Sequence, residues 1–347
     1  MKNATLPTIS VVIATHNSSR TIGLCLRSIR SQRYPQDKIE IIIADGASTD
    51  ETHAVAFSYG VRWIPVDVSK QSAEYNKATG IGHARNEIIA MIDHDNVLPH
   101  DVWLQNMVQP FRQQKDVVGV ETLRYHYDPK TSFLDRYFAL FGVGDPLVWY
   151  LGKADRLSYI YDDYVLSGYA IDHGKYYLVR FRANNMSTIG ANGFLVRRKI
   201  LMKNAEVSPG KYFDMDVNVD LIKKGFDTYA FVKDSILHLT GYGNILNFLK
   251  RRILFLSQYR FGSEAEKRKK LRRYGNLSGE DMGRLLWAII VCATLIIPLY
   301  DSIRGWRKIR DTAWFLHPIL CFSFVVIYGW VTIKHTIYGF VNKLLDK

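Results

Sequence analysis

Two short apolar runs rich in β-branched residues, Ile9 to Ala14 and Ile39 to Ala44, open the chain, and each is followed by polar residues and then a helical pattern. That is a βα unit written twice. Between them Ile22, Leu26 and Ile29 recur at helical spacing behind Ser19, which predicts a capped helix with one apolar face. Strands without polar interruption imply cover on both faces of their sheet. Asp50 opens a second helix, Val61 to Val66 reads as a third strand, and Glu87 to Ile92 as a fourth that stops at Asp93. After Asp101 a helix carrying Val102, Leu104, Met107 and Val108 precedes a strand from Val117 to Tyr125. Thr188 to Val196 and Ala230 to Leu239 predict further strands on either side of a helix near Val217 to Lys224. Asp128 to Arg182, crowded with Tyr, Phe and Gly, follows neither period. The expected fold class is α/β, a Rossmann-like sheet flanked by helices, with polar residues at strand carboxyl ends, where open α/β sheets hold ligands.

The pattern changes after residue 242. From Asn244 to Phe261, Ile245, Leu249, Ile253 and Leu256 oppose Lys250, Arg251, Arg252 and Arg260, the signature of an interfacial helix. Leu285 to Tyr300 and Ala313 to Ile333 contain no Asp, Glu, Lys or Arg. The second can cross a hydrocarbon layer of about 30 Å, while the first is marginal and holds Pro298. If both cross, Arg304, Arg307, Lys308 and Arg310 lie outside, against the positive-inside tendency; a re-entrant or interfacial first run removes the conflict. We expect a catalytic domain over residues 1–242, a basic amphipathic segment over 243–284 and membrane-anchoring helices over 285–347.

Charge follows the same boundary. The net +13 divides into +2 over residues 1–242 and +11 over 243–347, so the basic excess belongs to the tail. There it flanks apolar runs rather than stacking aromatics, which points to anionic lipid headgroups and not to nucleic acid. A hydrophobic content of 48% excludes a disordered chain. Three cysteines are too few for a disulfide framework and fit a reducing compartment. The amino terminus carries no secretory signal pattern, which puts the expected catalytic domain on the cytoplasmic side of the membrane.

Candidate chemistry sits at the strand ends. Asp93-His94-Asp95 places two carboxylates where the fourth strand stops, a hard-oxygen pair suited to Mg²⁺ or Mn²⁺ held together with phosphates. The spacing occurs again at Asp214-Met215-Asp216, so context rather than the motif gives it meaning. Thr15-His16-Asn17 and Asp45-Gly46-Ala47-Ser48 supply further polar strand ends; the Asp45 carboxylate suits a base N–H or a ribose hydroxyl. Gly80-Ile81-Gly82-His83-Ala84-Arg85-Asn86 carries an Arg within reach of a diphosphate, but it precedes the fourth strand and is no dinucleotide fingerprint.

Taken in order, SVVIATHN, IIIADGASTDET, GIGHARNEII, IDHDN, IGANGFLVRR and YFDMDVNVDLIKKGF resemble glycosyltransferase family 2, the inverting sugar-nucleotide transferases of GT-A fold, over about residues 8–240. The resemblance implies a nucleotide-sugar site at Thr15, Asn17, Asp45, Arg85 and Asp93, and a metal site at Asp95 and His238. It also implies a general base at Asp214, with Asp216 as the alternative. Asn192 falls in the glycine-asparagine strand, and Asn192, Arg251, Arg252 and Arg260 are candidates for the acceptor or a lipid phosphate. The expected partners are a nucleotide-diphosphate sugar, a lipid-linked or glycan acceptor and membrane lipids. A nucleotidyltransferase would carry a glycine- and Lys/Arg-rich triphosphate loop directly after the first strand, which THNSSRT does not resemble. A silent binding protein of the same fold would not need Asp95 and Asp214 together.

Overall fold

The computed structural model describes residues 6–262 and 281–345. Its strands are β1 (Ile9–Thr15), β2 (Ile39–Asp45), β3 (Arg62–Pro65), β4 (Ile88–Met91), β5 (Asn96–Val97), β6 (Gly119–Tyr125), β7 (Tyr169–Asp172), β8 (Tyr176–Arg180), β9 (Phe194–Arg197) and β10 (Thr228–His238). They join in one mixed sheet of order β3-β2-β1-β4-β9-β6-β10-β8-β7. The first four are parallel, β9 runs antiparallel between β4 and β6, and β10 lies parallel to β6. β5 pairs with the last residues of β10, His238 opposite Asn96.

α1 (Ser19–Arg30) and α2 (Thr52–Phe57) follow the first two strands, α3 (Ala73–His83) precedes β4 and α4 (Trp103–Gln113) precedes β6. Alternate residues of β1 face opposite layers: Val11 and Ile13 pack with Ile22 and Leu26 of α1 and Leu104 of α4, while Val12 packs with Ala78 and Ile81 of α3. All these side chains are essentially inaccessible, which is why the strands read as unbroken apolar runs. Ser19 does not cap α1 but is its first helical residue. Its amide donates instead to Asp50 Oδ2 at 3.1 Å, and Asp50 Oδ1 accepts from the Thr52 amide at 3.0 Å, so one carboxylate serves the starts of both α1 and α2.

The aromatic stretch between Asp128 and Arg182 forms α5 (Phe133–Phe141), α6 (Pro146–Tyr150), β7 and β8. Its side chains escape a simple period because they serve two cores. Tyr177 and Val179 join the sheet, whereas Tyr137, Phe141 and Leu147 build a third cluster with Trp314, Leu320 and Phe324. Thr188 to Val196 was expected to be strand throughout, but only Phe194–Arg197 is. The preceding residues form a turn in which Gly190 and Gly193 have φ of +119° and +88°, and Asn192 of +53°. α7 (Arg198–Asn204) and α8 (Asp214–Lys223) follow.

α9 (Ile245–Leu256) is the amphipathic helix, extended by a π turn over Ser257–Phe261. The charge run from Lys267 to Arg273 lies outside the described residues, as does the Arg260 side chain. α10 (Asp281–Thr294) and α11 (Ile296–Lys308) carry the first apolar run and bend by 77° at Leu295. α12 (Leu316–Leu345) carries the second, and Thr312–Tyr338 is the one described segment long and apolar enough by itself to span a bilayer.

Candidate active site

The parallel register brings Thr15 and Asp45 side by side at the carboxyl edge of the sheet. Thr15 Oγ1 donates to Asp45 Oδ1 at 2.7 Å, and the Ser48 amide donates to Asp45 Oδ2 at 2.8 Å. Asp45 is therefore buried and rigid, with lone pairs left for one more donor. Asn17 stands next to it with a left-handed backbone; its Oδ1 accepts from the Thr49 amide at 2.8 Å, tying the two strand-end loops together.

Asp93, His94 and Asp95 form the turn between β4 and β5. Because β5 pairs antiparallel with the end of β10, residues far apart in sequence meet there: the Leu239 amide donates to the Asp95 carbonyl, and His238 Nε2 stands 3.4 Å from Asp95 Oδ2. Burial by itself would raise the Asp95 carboxyl, but the His238 imidazole holds it below the usual carboxylate range. In return, burial works against the charged form of His238, and Asp95 more than compensates, so its pKa stands above the ordinary imidazole value. Asp95 Oδ1 is buried with no hydrogen-bond partner among the described residues. An orphaned carboxylate oxygen beside an imidazole fits two donors to a divalent cation. No cluster of three or more His, Cys, Asp or Glu side chains suited to a metal exists among the described residues, so any such ion needs oxygens from a bound ligand or water.

Asp214 begins α8, and its carboxylate reaches the same crevice through a residue that the sequence patterns did not single out. Lys77, on α3, places its ammonium 3.1 Å from Asp93 Oδ1 and 2.9 Å from Asp214 Oδ2. Its side chain is only 8% exposed. Desolvation opposes the charge, yet the Asp214 and Asp93 carboxylates prevail and raise the lysine above its ordinary range. Tyr212 donates its hydroxyl to Asp214 Oδ1 at 2.7 Å. The Asn192 amide donates to Asp93 Oδ2 at 3.3 Å, and Asn192 Oδ1 accepts from Asn96 at 3.1 Å. Gly190 permits this approach: a Cβ there would stand 2.6 Å from the Asp214 carbonyl oxygen. Asp216, by contrast, is almost wholly buried in α8. The signal available in the sequence for Lys77 was the capping Ser72 with helix formers after it, which starts α3 at the carboxyl edge.

Arg85 is not part of this crevice. α3 runs back across the sheet, so the loop after it arrives at the opposite edge, where the Arg85 amide donates to Glu40 Oε1 at 2.8 Å and approaches Ser10. Ser10 and Thr15 are separated along β1 by roughly 16 Å at ~3.3 Å per residue. Arg85 instead lines an open basic groove with Arg198 and Lys199. Arg252 also departs from expectation: its guanidinium is engaged by Asp145 and by the Tyr328 hydroxyl of α12, joining α9 to the apolar helix rather than standing open for a phosphate. Arg251 is exposed on α9.

Beside Asp214 lies a cavity of about 200 Å³, lined by Glu121 and Tyr125 of β6, by Asp155, Arg156 and Asn192, and by Phe255 and Tyr259 from the end of α9. Arg156 Nη2 donates to Glu121 Oε1 at 2.6 Å and to the Asn192 carbonyl at 2.9 Å. Desolvation pushes the Glu121 carboxyl upward against the pull of Arg156.

Comparison with known proteins bears on these strand ends. A glycosyltransferase, AglE, of Haloferax volcanii is 32% identical over 109 residues, covering 30% of this chain and 36% of that protein. A 4,4'-diaponeurosporenoate glycosyltransferase of Staphylococcus aureus is 26% identical over 139 residues, covering 39% of this chain and 36% of the relative. The matched stretch is thus about a third of each relative's length. Among solved structures, a mannosyltransferase from Pyrobaculum calidifontis in complex with GDP-Man and Mn²⁺ aligns with 98% of this chain and 88% of its own, at 15% identity and a TM-score of 0.47. Glucosyl-3-phosphoglycerate synthase from Mycobacterium tuberculosis, in complex with Mn²⁺, UDP and phosphoglyceric acid, aligns with 72% of this chain and 78% of its own, at 20% identity and a TM-score of 0.46. The profile of Glycosyl transferase family 2 matches residues 10–203, which span every strand end described above as far as the Asn192 turn; the chain belongs to that family.

Proposed function

We propose that the enzyme moves a sugar from a nucleotide-diphosphate sugar to an acceptor hydroxyl, with inversion, in the crevice between Asp93 and Asp214. The acceptor oxygen bonds to the anomeric carbon as the bond from that carbon to the diphosphate breaks, and the hydroxyl proton passes to the Asp214 carboxylate. Asp45 and Thr15 face the nucleoside, Asp93 the ribose or the donor sugar, and Lys77 the diphosphate. Phosphate oxygens arriving at Lys77 exchange for its carboxylate partners, which frees Asp214 to act as base. Asp95 and His238 are the residues to hold Mg²⁺ or Mn²⁺, which supplies positive charge for the leaving diphosphate. The observation that carries this reading is the single ammonium shared by Asp93 and Asp214, 121 positions apart in sequence. Asp214→Asn tests it: release of nucleoside diphosphate should fall about 10³-fold while binding of a radiolabelled donor stays within about threefold. Unchanged turnover removes the assignment.

The setting we infer is a membrane surface, with 1–242 as catalytic domain, 243–284 as interfacial segment and 285–347 as anchor. In support, α10, α11 and α12 turn Leu286, Trp287, Ile296, Ile319, Phe322 and Trp330 outward. A 77° bend belongs to a broken span or to a re-entrant pair, and the second is supported by contacts of both ends of the pair with the catalytic half: Asp281 meets Lys153 at 2.9 Å and Lys308 meets Asp162 at 2.6 Å. Arg304, Arg307, Lys308 and Arg310 then share the side of the catalytic domain, which under the positive-inside tendency is cytoplasmic. From there a lipid-linked acceptor reaches the crevice by lateral diffusion.

A further inference from the structure

We propose that the cavity beside Asp214 is the acceptor subsite and that it selects a saccharide residue whose accepting end carries no anionic group. This rests on the glycosyl-transfer reading above and adds the chemistry of the acceptor to it. Glu121 lines the cavity, is 1% exposed, and has Oε2 without a partner among the described residues, which is a buried acceptor waiting for a donor. Asp214 lines the same cavity, so a hydroxyl held by Glu121 shares that space with the proposed base.

The charge of the walls decides the class of ligand. Arg156 is the single cation among the described lining residues, and its guanidinium is spent on Glu121, on Thr122 Oγ1 at 3.0 Å and on the Asn192 carbonyl, with its face over the Tyr125 ring at 5.0 Å. Lys77 is spent on Asp93 and Asp214. Among the described lining residues what remains is carboxyl, and of these Asp155, Glu74 and Glu121 are displaced upward in pKa by burial. Ionised, these groups accept from sugar hydroxyls; protonated, they also donate to them; in neither form do they offer a phosphate or carboxylate a counter-charge. The aromatic lining suits a sugar too. Phe255 and Tyr259 stack with ring centroids 4.3 Å apart, and Tyr259 donates its hydroxyl to Glu74 Oε1 at 2.7 Å. These rings sit at the end of the helix that Arg252 ties to α12, so the cavity lining and the proposed anchor are joined through one element.

The test uses the full chain in lipid nanodiscs with labelled UDP- and GDP-hexoses. The acceptors are octyl glucoside, mannoside and galactoside, the octyl uronide matched to each, and farnesyl phosphate. For at least one pair, the neutral octyl glycoside should be used with kcat/KM about tenfold or more above its uronide and above farnesyl phosphate. Glu121→Gln and Asp155→Asn each remove one carboxyl while keeping its shape, and should shrink the neutral-to-uronide ratio severalfold; a merely structural role would lower both substrates together and leave the ratio unchanged. Equal or better use of the uronide or of farnesyl phosphate, or an unchanged ratio in both variants, overturns the inference while donor turnover keeps the glycosyl-transfer reading. No nucleoside diphosphate release from any donor overturns both.

Discussion

Replacing Lys77 by methionine removes the cation on which two carboxylates converge, while the stem of the side chain is preserved. Asp93 and Asp214 would then face one unneutralised volume, each having lost a partner about 3 Å away. Breaking a buried pair costs about 3–5 kcal/mol, and here the carboxylate side chains are 23% and 25% exposed, so water offsets part of it. A loss of about 2–3 kcal/mol is expected, which for a domain of this size lowers Tm by about 4–6 °C. Thermal unfolding followed by tryptophan fluorescence in lipid nanodiscs measures it. The second arm is Lys77→Met with Asp214→Asn: because the asparagine removes the orphaned charge, the double variant should be at least ~1 kcal/mol more stable than the sum of the single losses. A Tm within a degree of the parent for Lys77→Met, or strict additivity of the pair, would show that the ammonium does not hold the crevice together.

Arg85→Ala, at the far edge of the sheet, should leave sugar transfer within about twofold, whereas a loss near that of Lys77→Met in donor titrations would restore Arg85 to the nucleotide site. Gly190→Ala should destabilise by about 1–3 kcal/mol and depress turnover, since its φ of +119° is strained for alanine and the added carbon presses on the Asp214 carbonyl; a neutral effect in chemical denaturation would refute the fit. The raised pKa of His238 makes a pH prediction. Its contribution to stability is complete below the unfolded value of about 6.5 and is lost as pH rises through the higher folded value, so in chelator Tm should decline across that window. His238→Asn should flatten the decline; a slope that persists in the variant assigns the effect elsewhere.

The strands at the front of the fold were legible because β1, β2 and β4 are buried on both faces, and burial of that kind leaves an unbroken apolar run. The places of Asp45 and Asp93 at the carboxyl edge were legible for a related reason, since each follows such a run directly, with Asp95 two residues beyond Asp93. The Thr188 to Asn192 turn was misread as strand because its residues are themselves compatible with extended chain. Only the left-handed angles at Gly190, Asn192 and Gly193 break it, and those answer to the approach of Asp214 and Ile236 from elsewhere in the chain. The aromatic stretch after Asp128 showed no period because successive side chains belong to different cores.

Local order, then, determined the alternation of strand and helix, the polar strand ends and the apolar tail, since each depends on neighbours within a few residues and on which faces water touches. Which polar groups share a crevice depended on the direction of α3 and on the pairing of β5 with β10. Helix direction brought Lys77 to the carboxyl edge and carried Arg85 to the other, and strand pairing set His238 against Asp95. Long-range packing makes those choices, and it leaves a lysine within a helix looking, along the chain, like any other.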